Sequence, residues 1–215
     1  RETATSPADG SYKHSRQSGG RGQYGHVVMG VAPGKPGDGF EFVNKVVGGR
    51  IPSEYIPSVE KGVIQALEHG PFAGYPVVDM TVTLTDGSYH EVDSSDFAFQ
   101  IAGRQAFKEL FMKGNPQLLE PIMSIEITTP EEFMGPCNST IAQRRGRIES
   151  MDERGGMKIV KGMVPLSEMF GYSNTIRSLT QGRASFSMHF EHYEAVPFSI
   201  AEEVVKKRRD EGKIK

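Results

Sequence analysis

The chain has 215 residues, of which 37% are hydrophobic and 24% are charged, and its formal net charge is −2. This composition is typical of one large globular domain or two smaller ones, and it excludes a whole-surface attraction to nucleic acid. The single cysteine excludes an internal disulfide framework and a multi-cysteine metal site, and no apolar run reaches the ~18 residues of a membrane span. We therefore expect a cytoplasmic protein without a membrane or metal partner. Because the chain begins at Arg1 rather than at a methionine, we also expect an excised part of a longer protein.

The first part of the chain predicts a mixed α and β unit. Residues 1–25 show little periodicity and are expected to form a short strand followed by a loop. Alternation over 27–32 predicts a buried strand, and the turn-forming run Pro33–Gly39 predicts a hairpin with residues 40–43. A helix is then expected from Pro57 until Gly70 and Pro71 stop it.

A second helix is predicted as the centre of this unit. Alternation over 78–84 indicates a half-buried strand that ends in a turn at 85–88. Ser95 and Asp96 are suited to cap the helix that follows. Its apolar residues, beginning with Phe97, lie on more than one side, which favours a position in the core.

The second part of the chain repeats strands and helices in a recognisable order. The predicted elements are a strand at 123–128, a short helix at 140–145, strands at 147–153 and 156–164, a helix at 165–179 and a strand at 184–190. The order β-α-β-β-α-β is that of the split βαβ, ferredoxin-like arrangement. A helix with a basic end is expected over 200–209.

A polar, basic and glycine-dense stretch, His14–His26, precedes the first buried strand. No carboxylate occurs between Gly10 and Gly37, whereas this interval holds four cations. Cations, free amides and flexible glycines suit a phosphate-rich partner. The pattern Gly20-x-Gly22-x-x-Gly25 matches the dinucleotide fingerprint, but a strand follows it where that mechanism needs a helix. The sequence also lacks a P-loop, so we expect no nucleotide binding here.

Two further polar segments each permit more than one interpretation. Tyr89 and His90 are suited to stack on or hydrogen-bond to unpaired bases, although a surface histidine without a role remains an equal alternative. A hydrolase triad of His90, Asp93 and Ser94 is disfavoured because adjacency in sequence provides no triad geometry. The basic cluster at 144–147 indicates either an RNA contact or a solvated helix end.

Several blocks of this sequence together resemble the translation elongation factor G family, in its C-terminal domains IV and V. They run in the family's order: Arg1-Glu2-Thr3, Gln17–Gly25, Ile51–Pro57, Ala73–Asp79, Gly87–Ser95, Leu119–Met123, Arg144–Gly146, Pro165–Tyr172 and Arg177–Ala184. The resemblance implies an α+β fold with two domains. Residues 1–119 are expected to form a domain similar to domain 2 of ribosomal protein S5, with a left-handed βαβ crossover. Residues 120–194 are expected to be ferredoxin-like, and residues 195–215 to form a C-terminal helix and basic tail.

The resemblance also implies a function. Factors of this family are GTPases that move tRNA and mRNA through the ribosome, and domain IV reaches the decoding site of the small subunit. The chain is then a monomeric, non-catalytic fragment that contacts ribosomal RNA, A-site tRNA and mRNA. It needs no cofactor of its own, since GTP and Mg²⁺ belong to an N-terminal domain outside it.

The resemblance assigns site residues at two places. The implied RNA-binding tip consists of His14, Arg16, Gln17, Ser18, Gly19, Gly20, Arg21, Gly22, Gln23, Tyr24, Ser88, Tyr89, His90 and Asp93. The implied large-subunit contact consists of Arg144, Arg145 and Arg147. No catalytic or metal-binding residue is expected.

One segment departs from the family's usual sequence. Between Gly135 and Arg144 the chain reads Pro136–Gln143, so the first helix of the second domain loses apolar residues and gains a proline. Because of this departure, a paralogue specialised in ribosome recycling is an alternative to a translocation factor. A tetracycline-resistance ribosomal protection factor is a further alternative, and an enzyme acting on RNA is an alternative from another class.

Overall fold

The computed structural model describes residues 1–215 and divides them into two compact units. Unit 1 comprises Arg1–Leu119 and Val196–Lys215, and unit 2 comprises Glu120–Ala195. Each unit has its own hydrophobic core. The predicted α+β fold with two domains is therefore confirmed. No helix combines the length and the apolar character that crossing a membrane requires.

The chain forms nine strands and five α-helices. They are β1 (Glu2–Ala4), β2 (Ala8–Arg16), β3 (Gln23–Pro33), β4 (Glu41–Asn44), α1 (Ile56–Glu68), β5 (Met80–Ser88), α2 (Asp96–Lys113), β6 (Pro116–Thr129), α3 (Met134–Gln143), β7 (Arg147–Arg154), β8 (Met157–Pro165), α4 (Tyr172–Leu179), β9 (Ser185–Ala195) and α5 (Phe198–Asp210). The first residues of β6 pair with β1 in unit 1, and its remainder pairs with β8 in unit 2.

The main sheet of unit 1 has the strand order β2-β3-β5-β4. Strands β2 and β3 form an antiparallel hairpin, β3 is antiparallel to β5, and β4 is parallel to β5. The parallel pair is joined through α1 as a βαβ unit. The capped helix α2 is the predicted core helix, since the Ser95 hydroxyl accepts a hydrogen bond from the Ala98 amide at 3.1 Å and eight α2 residues are buried.

Three expectations for unit 1 were wrong in detail. Residues 8–16 form a strand rather than a loop, because backbone pairing with β3 stabilises a segment that is too polar to show a buried-strand pattern. Residues 41–44 pair with β5 and not with β3, so the hairpin predicted around Pro33–Gly39 does not form. The turn predicted at 85–88 is strand, interrupted by a bulge at Thr85, and the chain turns only after Ser88.

The packing of α1 on α2 requires a glycine at position 62. A Cβ atom there would overlap the Gln100 carbonyl oxygen of α2 and approach the Arg104 amide nitrogen at 3.1 Å. We expect Gly62→Ala to lower the free energy of unfolding by about 2 kcal/mol, because the two backbones would have to separate. Urea unfolding measures this. Gly135→Ala in α3 is the control, since its Cβ would meet nothing within 4 Å, and an equal loss in both variants would contradict the packing explanation.

Unit 2 confirms the β-α-β-β-α-β order. Its sheet has the order β9-β6-β8-β7, and β7 and β8 are joined through Gly155 and Gly156, both at positive φ. The first helix begins at Met134, six residues before the predicted start, and Pro136 is tolerated because it lies in the first turn. The second helix is shorter than predicted, since residues 166–168 form a 3-10 turn and α4 begins only at Tyr172.

Candidate nucleic-acid interface

Two loops lie together at one end of unit 1. Loop 1 (residues 17–22) joins β2 to β3, and loop 2 (residues 89–93) follows β5. They are neighbours because β3 is antiparallel to both β2 and β5. The end of β2, the beginning of β3 and the end of β5 therefore lie at the same end of the sheet. The family resemblance implied that these two segments form one tip, and the sheet topology explains how residues about 70 positions apart meet.

Hydrogen bonds join the two loops directly. The Gly22 amide donates to Asp93 Oδ1 at 3.1 Å, and the Tyr24 amide donates to the Asp93 carbonyl at 2.9 Å. Arg21 Nε donates to the Val92 carbonyl at 3.0 Å. A Cβ at Gly22 would lie 2.9 Å from Asp93 Oδ2 and 3.0 Å from the Arg16 carbonyl oxygen, so this close approach requires glycine. Asp93 therefore holds the loops together.

His90 presents an unpaired nitrogen to solvent at the end of loop 2. Its Nδ1 accepts hydrogen bonds from the Val92 and Asp93 amides, each at 3.3 Å, and its side chain is 55% exposed. With Nδ1 as an acceptor, the proton of the neutral ring lies on Nε2, which has no partner in the protein. The Tyr24 and His90 ring centroids are 6.3 Å apart. The site thus offers a hydrogen-bond donor beside an aromatic ring.

Ser88 has a supporting role beneath the loops. Its hydroxyl forms hydrogen bonds with Tyr24 Oη at 2.7 Å and with His26 Nδ1 at 2.9 Å. Burial, and then the positive charge of Lys13, lower the pKa of His26, so this imidazole is held in its neutral form. These contacts fix the orientation of the Tyr24 ring.

His14 differs from the other predicted tip residues. It lies on β2 with 6% of its surface exposed, and its Nε2 forms a 2.7 Å hydrogen bond with Gln23 Oε1. The side chain faces inward on an alternating strand, and a direct contact of His14 with RNA stays a prediction. Its contact orients Gln23. By contrast, Arg16 and the loop residues through Arg21 are exposed.

The arrangement does not fit a bound nucleotide or a hydrolase triad. The Gly22 amide, which a phosphate would need, already donates to a carboxylate, and that carboxylate would repel an anion at this amide. Ser94 is buried, and its hydroxyl donates to the Tyr24 carbonyl at 2.8 Å while accepting from the His90 amide at 2.9 Å. Ser94 is therefore not activated by a base.

A third loop at this end was not predicted. Strand β4 runs parallel to β5, so residues 45–52 leave the sheet toward the same edge as loop 2. Arg50 pairs with Asp86 at 3.0 Å, and Val47 is largely exposed. Gly48 and Gly49, both at positive φ, are the available sequence signal for a turn here, but only the parallel pairing places that turn.

The second predicted cluster is mostly engaged within unit 2. Arg145 forms a fork on Glu120 at 2.8 and 2.9 Å and also binds Glu168 at 3.0 Å, and these contacts raise its pKa. Arg144 binds the Glu168 carbonyl and lies over the Tyr172 ring at 5.1 Å. Only Arg147, which is 57% exposed, presents most of its guanidinium to solvent. The sequence gives no sign of this difference between neighbouring arginines.

Comparison with known proteins agrees with this architecture. The family described as elongation factor G, domain IV, matches residues 1–115, and the family described as elongation factor G C-terminus matches residues 117–204. A crystal structure of a protein from Thermus thermophilus is similar at 39% identity and a TM-score of 0.89, with 98% of this chain and 31% of that chain covered. This chain therefore spans about a third of that relative. It belongs to the elongation factor G family, of which it carries domain IV and the C-terminal domain.

Proposed function

We propose that this chain is the ribosome-binding arm of a translational GTPase, and that it promotes movement of tRNA and mRNA by inserting loops 1 and 2 into the decoding site of the small subunit. Membership of the elongation factor G family supports this role. The observation that carries it is the joined pair of exposed loops, which places Arg21 of loop 1 and Arg16 at the end of β2 at the same end of the sheet as the free Nε2 of His90.

The mechanism requires positioning and not acid–base chemistry. Arg16 and Arg21 attract phosphates, and Gly19 and Gly20 add no side chains to loop 1, so its tip stays narrow. His90 approaches the codon–anticodon helix and donates from Nε2. Asp93 keeps both loops in one rigid unit, so that a push on the arm displaces the RNA that it contacts.

GTP hydrolysis belongs to a different domain in this proposal. The sequence contains no Gly-x-x-x-x-Gly-Lys-Ser/Thr segment, and the glycines of loop 1 do not form a phosphate site. GTP and Mg²⁺ would bind to a domain outside this chain and drive the placement of the arm, which acts as a monomer in the cytoplasm. The large-subunit contact through the cluster at 144–147 stays a prediction, for which Arg147 is the most accessible side chain.

His90→Ala in the full-length factor is expected to slow single-turnover translocation about tenfold, because one base contact is lost. Ribosome-dependent GTP hydrolysis should remain at the wild-type rate, since in this proposal GTP binds to a domain outside this chain. Glu91→Gln, an exposed neighbour in loop 2, is the control and should not slow translocation. An unchanged translocation rate in His90→Ala would contradict the role assigned to loop 2.

The segment Pro136–Gln143 supports a second candidate, a paralogue acting in ribosome recycling. The segment folds as most of α3 and buries Cys137 and Ile141, so its unusual sequence leaves the helix intact. Its side chains nevertheless change the surface that this helix presents. Complementation of a strain lacking its housekeeping elongation factor, with the full-length gene, separates the two: growth supports translocation, and no growth supports the specialised step.

A further inference from the structure

A cavity of about 370 Å³ in unit 1 shares Arg16 and Gln23 with the predicted tip and continues onto helix α2. It lies where the end of β2 and the start of β3 face the first turns of α2. The side chains relevant to its chemistry are Tyr12, Arg16, Gln23, Phe97, Arg104 and Gln105. Its volume is in the lower part of the range of small-ligand pockets, ~300–1,000 Å³.

The cavity carries positive charge that the protein does not balance. Neither the Arg16 nor the Arg104 guanidinium has a carboxylate or hydrogen-bond partner, and no acidic residue lines the cavity. One turn along α2, Lys108 has its pKa lowered by burial and then by the positive charge of Arg104. A bound anion would relieve this repulsion between cations on one helix face.

An aromatic ring lies at the same cavity. Phe97 was expected in the core, but it is 58% exposed and has no aromatic partner, because the buried side of α2 begins at Ala98. Gln23 is held through its Oε1 by His14, so its amide NH₂ group remains a free donor. An unpaired ring, a free amide and two free guanidinium groups are complementary to a base and its phosphate.

We propose that this cavity binds one nucleotide of single-stranded RNA, with the base against Phe97 and the phosphate between Arg16 and Arg104. This inference rests on the proposed function and extends its RNA contact from loops 1 and 2 onto helix α2. A nucleotide within an RNA strand and a free nucleotide both present the nucleoside phosphate that this cavity would recognise.

The test is fluorescence anisotropy of a labelled oligouridylate of about 12 nucleotides, titrated with the whole chain at several salt concentrations. Arg104→Gln is expected to reduce the slope of log affinity against log salt by about 0.7, the value for one phosphate contact on a single strand. Phe97→Ala is expected to weaken binding about tenfold without changing this slope, and Phe97→Tyr should retain the affinity. Lys61→Gln, an exposed lysine on α1, is the matched charge control.

The outcomes separate this inference from the proposed function. If RNA binding is weakened by Arg21→Gln but unchanged by Arg104→Gln and Phe97→Ala, nucleotide binding in the cavity is contradicted. The RNA contact of loop 1 then still stands. A wild-type chain that binds no RNA would overturn both. In NMR titrations, adenosine 5′-monophosphate should shift the signals of Phe97 and of Ile101, which also lines the cavity, more than inorganic phosphate does at the same concentration. Equal shifts would overturn the base contact.

Discussion

Arg145→Ala is expected to lower the free energy of unfolding of unit 2 by about 3 kcal/mol. The guanidinium of Arg145 spans two carboxylates, with both oxygens of Glu120 at 2.8 and 2.9 Å and Glu168 at 3.0 Å. The Glu120 side chain is only 10% exposed. Removing Arg145 leaves that carboxylate buried without its cation, and the cost of the unpaired charge dominates the loss.

Arg147→Ala is the matched control for this change. Arg147 lies two residues away and also contacts carboxylates, Glu194 at 3.3 Å and Glu149 at 3.9 Å, but it is 57% exposed. Water screens such pairs, so we expect a loss below about 1 kcal/mol. Arg145→Lys should also lose most of the stabilisation that Arg145 provides, because an ammonium group cannot form two parallel hydrogen bonds to one carboxylate. Hydrogen exchange of the β6 and β8 amides reports on unit 2 separately, and equal protection in both alanine variants would contradict this prediction.

For the three arginines at 144–147, residue type alone does not indicate which side chain is buried and paired. Arg144, Arg145 and Arg147 look equivalent in sequence, and each suits an RNA contact. Apart from Glu149, which lies two residues from Arg147 on the same strand, their carboxylate and aromatic partners are more than 20 residues away in sequence. The difference in burial between the three arginines therefore arises only in the folded unit. A ribosome-binding defect in Arg145→Ala would therefore have to be corrected for the stability that this variant loses.

Sequence periodicity predicted those strands and helices that bury a regular pattern of their own apolar side chains. Strand β3 has one buried face over its whole length, and α2 is capped by Ser95 and buries residues on more than one side, so both were recognised. Strand β2 is an edge strand with mostly exposed or half-buried residues, and its conformation depends on β3. The pairing of β4 was also inaccessible, since it depends on the path of α1 across the sheet.

The two segments of the candidate site were predicted from the sequence. The hydrogen bonds that join them and the orientation of their side chains were not. Glycine and arginine content indicated loop 1, and the polar turn around His90 indicated loop 2. The bond from the Gly22 amide to Asp93 joins residues 71 positions apart, and no local pattern reports such a contact. The inward orientation of His14 follows from the alternation of a strand that composition did not reveal.

Glu2→Ala is expected to produce the largest loss of stability, about 4 kcal/mol in unit 1, because three backbone donors would lose their acceptor. Glu2 is fully buried on β1, and its carboxylate accepts from the amides of Phe72 at 3.2 Å, Ala73 at 2.9 Å and Tyr75 at 3.2 Å. These amides belong to the loop after α1. Glu41→Ala is the control because Glu41 is an exposed residue of β4, and its expected effect is within about 0.5 kcal/mol by urea unfolding.

Glu2→Gln isolates the effect of the charge from that of the hydrogen bonds. Burial raises the pKa of the Glu2 carboxyl above its ordinary value of 4.5, and the three amide donors oppose this shift only in part. A raised folded-state pKa means that the native state binds the proton more tightly, so this contribution to stability is greatest below pH 4.5 and is lost as the pH rises through the folded-state pKa. The unfolding free energy of the wild type minus that of Glu2→Gln should therefore fall as the pH is raised from about 4 to about 8. If this signed value rises with pH, the amides of the 72–75 loop outweigh burial, and Glu2 holds this loop as a stabilised carboxylate.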